Sequence, residues 1–143
     1  MYKFTIPVHP ITKKNNPRIF HNNNKTIVLP SKAYEKFEND CLKVIPSKYR
    51  IKIDYPVNIK VLYYVKTKRR IDKTNLESAI MDVLVKAGVL ADDSAIGPAI
   101  VVSTDGSRVL IDKINPRIEI EITKNNVVYW HFCKYLVLFA ELQ

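Results

Sequence analysis

Three carboxylates and a run of cations are the side chains of this 143-residue chain best suited to chemistry. Lys68-Arg69-Arg70-Ile71-Asp72-Lys73 sets four cations around one acid, and Asp92-Asp93 follows some twenty residues on. Cutting a phosphodiester needs a water activated for in-line attack and a charge partner for the leaving oxygen. A Mg²⁺ ion held by a few carboxylates can supply both, and it keeps several of its waters. Asp72 and Asp93 are the best ligand candidates, with Asp92 as a third. Mg²⁺ is the expected cofactor, with Mn²⁺ as an alternative. Lys68, Arg69, Arg70 and Lys73 would then bind phosphates, giving affinity and salt dependence rather than base readout. A plainer reading stands beside this one. Asp72 could simply favour a helix N-terminus, and Asp92-Asp93 could be a polar turn.

The elements that must position these residues are legible. Val57, Ile59, Val61, Tyr63 and Val65 alternate with Asn58, Lys60, Leu62, Tyr64 and Lys66, which predicts a strand leading into the basic run. Thr74-Asn75-Leu76-Glu77 fits a capping box, so Thr74 is expected to cap the next helix and Glu77 to reach back. Leu76, Ala79, Ile80, Val83, Leu84 and Ala87 form one apolar stripe, and Gly88 suits the residue after the helix. Asn75, Ser78 and Asp82 share another face, which either lines the site or faces water. The helix is expected to bring Asp72 and Asp93 together.

Charge supports a polyanionic partner. Lys plus Arg number 23 against 14 acids, a net of +9, and the excess sits upstream: residues 1–73 hold 17 basic and 5 acidic side chains. A basic half joined to an acidic half at one motif suits nucleic acid held near a cation site. Cys41 and Cys133 have no metal-ligand spacing, and His9, His21 and His131 are scattered. These patterns argue against zinc or histidine chemistry. With no leader-like segment at Met1, a reducing cytoplasm is expected.

Elsewhere, Tyr2 to Val8 alternates as a first strand, and a polar loop with Lys13 and Lys14 follows, suited to phosphate contacts or to solvent. Two short strands flank Asn22-Asn23-Asn24 as a hairpin. Ser31 should cap a helix with Tyr34, Phe37, Cys41 and Val44 inside, ended by Pro46. Residues 99–104 and 108–111 read as a second hairpin about Asp105-Gly106, and 117–123 as a closing strand. The tail from Val127 to Ala140 is almost wholly apolar but shorter than the roughly 20 residues a membrane span needs. It either closes the core or forms a dimer contact. The pattern predicts an α+β fold, a small mixed sheet packed with helices. Residues 1–123 form the expected nuclease-like domain and 124–143 a C-terminal extension.

In this order the residues resemble the RusA family of Holliday-junction resolvases of bacteria and their phages. The resemblance rests on Arg70-Ile71-Asp72-Lys73-Thr74-Asn75-Leu76, Asp82-Val83-Leu84, Gly88, Asp92-Asp93 and Asn115-Pro116-Arg117-Ile118-Glu119-Ile120. It covers Met1 to about Thr123. It implies an α+β homodimer that binds branched DNA, uses Mg²⁺, and cuts two opposing strands of a four-way junction. It also implies that Asp72 and Asp93 are catalytic, with Thr74, Asn75 and Ser78 lining the site. Two positions depart from the family pattern. Thr74 stands where a second acid is usual, and Ser78 where a Lys is common. The alternative is therefore a branched-DNA-binding protein that cuts weakly or not at all. A third reading makes the apolar tail a docking segment for a partner.

Overall fold

The alternation of Val57–Val65 becomes the central strand of the sheet. In the computed structural model, which describes residues 1–13, 17–91 and 100–126, the elements follow in order. They are β1 (Tyr2–Ile6), β2 (Arg18–Asn22), β3 (Lys25–Leu29), α1 (Lys32–Val44), a 3₁₀ turn (Ser47–Tyr49), β4 (Val57–Val65), α2 (Lys73–Lys86), β5 (Val101–Ser103), β6 (Arg108–Ile111) and β7 (Arg117–Lys124). The sheet runs β1-β7-β4, with β5 and β6 on the far edge of β4. β1/β7 and β7/β4 are antiparallel, while β5 and β6 both run parallel to β4. Among the described residues, two α-helices on a mixed sheet make this an α+β fold, as the sequence pattern implies.

Val57, Ile59, Val61, Tyr63 and Val65 are at most 2% exposed, whereas Lys60 between them is exposed. The same face collects Ile118, Ile120 and Ile122 of β7 and Phe4 and Ile6 of β1. α1 and α2 cover it. The opposite face carries Lys3 paired with Glu121 at 3.3 Å, and the Arg117 guanidinium 3.7 Å over the Tyr64 ring.

All six residues of the predicted α2 stripe are buried. Burying one side chain of Leu or Ile size contributes about 1.5–3 kcal/mol, whereas a cap is worth about 1 kcal/mol. Packing therefore holds α2 in place, and the cap only sets where it begins. The helix ends as read: Gly88 has φ +75°, a conformation glycine adopts without strain.

In α1, Tyr34 N donates to Ser31 Oγ at 3.2 Å, so Ser31 is the cap. Tyr34, Phe37 and Cys41 are buried. The expectation for Val44 fails, because it is 39% exposed and Ile45 is buried instead. The helix stops at Val44. Ile45 turns extended, with φ −67° and ψ 119°, and swings inward while its N–H bonds Cys41 O.

β2 and β3 pair as the predicted hairpin, with left-handed Asn23 (φ 39°) and Asn24 (φ 65°) at its tip, as a type I′ turn requires. Arg18 anchors it through Pro30 O and Glu35.

The second expected hairpin does not form. β5 and β6 point the same way and lie end to end along β4, at Val57–Asn58 and Leu62–Val65. Thr104–Ser107 steps the chain along the edge rather than reversing it, with Ser107 N donating to Thr104 O at 3.2 Å. Ser107, 6% exposed, fills the gap in the ladder by accepting Val61 N–H on its Oγ at 3.0 Å. Gly106 does take the positive φ its turn signal implies, +84°, above the Lys60 side chain. No helix of the described residues is long and apolar enough to cross a membrane. The tail from Val127 lies outside the described residues.

Candidate active site

β4 delivers the chain at Val65 into a seven-residue crossing to α2. Lys66, Thr67, Lys68, Arg69 and Arg70 along it are all exposed. Among the described residues, Lys66, Lys68, Arg69 and Arg70 have no carboxylate partner. Ile71 then packs against the core and turns the chain into the helix.

Asp72, not Thr74, is the helix cap. Its backbone is extended (φ −73°, ψ 111°), its Oδ1 accepts Thr74 N–H at 2.9 Å, and its carbonyl accepts Leu76 N–H at 3.2 Å. The capping-box reading fails because the helix begins two residues earlier than that box requires, at Lys73. Thr74 thus falls inside the first turn, and Glu77 has no cap to reach back to. Glu77 lies instead 3.5 Å from Lys73 Nζ, an ion pair one turn along. Its Oε1 is buried, with no hydrogen bond among the described residues. It faces the buried Tyr63, whose phenol is pushed well up, first by desolvation and then by the Glu77 charge.

The cap geometry leaves Asp72 a second oxygen, which accepts no hydrogen bond among the described residues. One oxygen fixes the side chain against the helix start, and the carboxylate follows the cations of the crossing directly in sequence. An N-terminal helix dipole also favours negative charge there. Among the described residues, no three His, Cys, Asp or Glu side chains gather in a way that could hold a metal. Asp92 and Asp93 lie outside the described residues. Their lead-in, Ala91, is fixed by its N–H to Ile53 O at 2.8 Å, and Leu90 N bonds Leu84 O near the far end of α2. A 14-residue helix spans about 21 Å, so the described residues place Asp72 and this lead-in at opposite ends of it. As donors, Asp72, Asp92 and Asp93 offer only hard oxygens, which fits Mg²⁺.

The remaining expected site residues divide. Asn75 is half-buried and Ser78 exposed on the outer face of α2. Asp82, further along that face, accepts from Lys13 Nζ at 2.9 Å. Lys13 is thereby a clamp from the segment after β1 onto α2, and Lys73 is engaged by Glu77. Lys14 lies outside the described residues. Sequence reasoning missed the contribution of His9 to Thr12. Lys66 N donates to His9 Nε2 at 3.4 Å. Burial, then the nearby Lys66 charge, holds the imidazole below its ordinary range, so it is neutral at pH 7. This segment and the basic crossing line an open cavity of about 450 Å³. Only their separation in sequence, more than fifty residues, hid the pairing; no local signal marks it.

Compared with known families, residues 7–123 match the model for the endodeoxyribonuclease RusA. No curated protein matches the chain.

Proposed function

The chain belongs to the RusA family of endodeoxyribonucleases, and from that premise we propose that it cuts four-way DNA junctions by paired, symmetric, Mg²⁺-dependent strand cleavage in recombination and repair. The observation that carries this reading is the juxtaposition at the start of α2. Four cations without a carboxylate partner among the described residues stand beside an acid with one oxygen fixed and the other open. Lys66, Lys68, Arg69 and Arg70 would bind backbone phosphates flanking the cut. Asp72, with Asp93 and Asp92, would hold the metal. When bound, Mg²⁺ supplies Lewis acidity and an activated water for the attack. The Thr74 N–H restrains the Asp72 carboxylate, so less side-chain freedom is lost when it engages. Mn²⁺ would serve the same donors. A homodimer suits the reading, because a two-fold assembly matches a two-fold junction and gives each copy one strand to cut. We place this activity in the cytoplasm.

The test is a synthetic junction incubated with the protein across a metal series. Symmetric nicks are expected with Mg²⁺ or Mn²⁺, and none with EDTA or with Asp93→Asn. Intact junctions under every metal would overturn the cleavage reading.

Thr74 and Ser78 support a second reading, a branched-DNA-binding protein with little or no cutting. Thr74 uses its backbone N–H for the cap, and its hydroxyl brings no charge to the site. Under that reading junction gel shifts persist without metal, Asp93→Asn leaves them intact, and Thr74→Asp gains cleavage.

A further inference from the structure

The cavity between the segment after β1 and the basic crossing has a mixed lining, with apolar Ile11, Ile71 and Leu76 alongside Arg69 and Arg70. Its volume of about 450 Å³ falls within the ~300–1,000 Å³ of ordinary ligand sites. Ile71, which lines it, is the residue directly before Asp72 of the proposed site. Thr12 also lines it. Thr12 is 6% exposed, and its Oγ1 is buried with no hydrogen-bond partner among the described residues. A buried hydroxyl without a partner is disfavoured in a finished fold and calls for a ligand atom or a water. The walls are not loosely placed. The Lys13–Asp82 pair fixes one end of the segment to α2, and the Lys66 N–His9 bond fixes the other to the end of β4.

Apolar side chains, an isolated hydroxyl and two arginines in one lining match one ligand chemistry. A flat heteroaromatic base needs apolar surface on its faces and a hydrogen-bonding atom at its edge. Its phosphate needs cations outside. We propose that this cavity receives one unstacked nucleotide of the bound DNA strand. Its base lies against Ile11, Ile71 and Leu76 with its edge at Thr12, and its phosphate lies on Arg69 and Arg70. The inference rests on the junction-cutting reading and deepens it. Branch points are where bases unstack most cheaply, so a base pocket beside Asp72 would select the branch and bias the cut toward particular bases. Phosphate contacts alone would not do so.

The experiment uses the full chain and junctions carrying a single 2-aminopurine at successive positions around the branch, without metal. At protein concentrations that fully shift the junction, emission should rise several-fold at one position on each of the two symmetry-related strands and little at the others. Ile11→Trp, which fills the cavity, should remove that rise at saturating protein. Thr12→Val should melt no lower than the native protein, because it deletes a hydroxyl the fold does not use. It should also narrow the spread of cleavage rates among the four bases at that position. A fully shifted junction with flat emission everywhere would overturn the base pocket and leave junction recognition standing. Junctions neither shifted nor cut would overturn both. A lowered melting point for Thr12→Val, with the base spread unchanged, would assign the hydroxyl to the fold and sink the proposal.

Discussion

Asp72 carries two roles that substitution can separate. Its Oδ1 caps α2 through Thr74 N–H, and its charge stands beside four cations at the helix start. Asn caps about as well as Asp, whereas Ala does not, and losing a cap costs about 1 kcal/mol. The charge at the N-terminus adds about 0.3–1 kcal/mol on its own. Asp72→Asn should therefore lose only the charge contribution, and Asp72→Ala should lose both. At about 2–4 °C per kcal/mol for a chain near this size, Asp72→Ala should melt about 2–4 °C below Asp72→Asn. The nuclease readout should order differently. If Asp72 holds the metal as proposed, both variants lack a ligand, and each should lose more than the roughly 10–100-fold that outer-shell partners of a metal are worth. Differential scanning calorimetry and single-turnover junction cleavage, run on the three proteins together, give both orders. If Asp72→Asn cuts at the native rate, the carboxylate has no part in catalysis. If Asn and Ala melt together, Oδ1 is not a cap in solution.

Three further outcomes rest on particular side chains. Ser107→Ala removes the only acceptor for Val61 N–H among the described residues, so a buried donor is orphaned; chemical denaturation should show a loss of about 1–3 kcal/mol. Arg70→Ala should flatten the slope of log K against log salt for DNA binding by about 0.9 for each phosphate that Arg70 neutralises. Lys13→Ala should change it less, because the Lys13 ammonium is already bonded to Asp82; fluorescence anisotropy across a salt series reads both. Burial, then the Asp40 and Glu38 charges, pushes the Cys41 thiol up to about 12. At pH 8 it is therefore protonated, and a Cys133→Ser variant should take up iodoacetamide at Cys41 only as fast as the protein unfolds.

Period-two and period-3.6 patterns survived into the fold because burial enforces them. Every inward residue of β4 and every residue of the α2 stripe had one face to satisfy. Turn chemistry was legible where it is purely local. Asn23 and Asn24 took the left-handed conformations a two-residue hairpin needs, and Gly106 took its positive φ. The direction of the chain after Gly106 was not local. It depended on β4 offering an edge long enough for β5 and β6 in series, with Ser107 bridging the break. The cap of α2 was misread by two residues for a related reason. Both Asp72 and Thr74 are good caps in isolation, and the choice fell to Ile71, whose packing on the core sets where the chain turns.

That shift changes the meaning of the departure at Thr74. With Thr74 as the cap, its hydroxyl would be needed by the fold, and an acid there would compete for the same role. With Asp72 as the cap, Thr74 contributes only its backbone N–H, and its side chain is released from structural duty. An acid there would sit in the first turn of a helix, where negative charge is favoured. The fold therefore gives no reason for its absence. By the same logic the cations of the crossing, exposed and without a carboxylate partner among the described residues, are not explained by stability. Under the proposed function their ion-pair partners are the phosphates of the bound DNA.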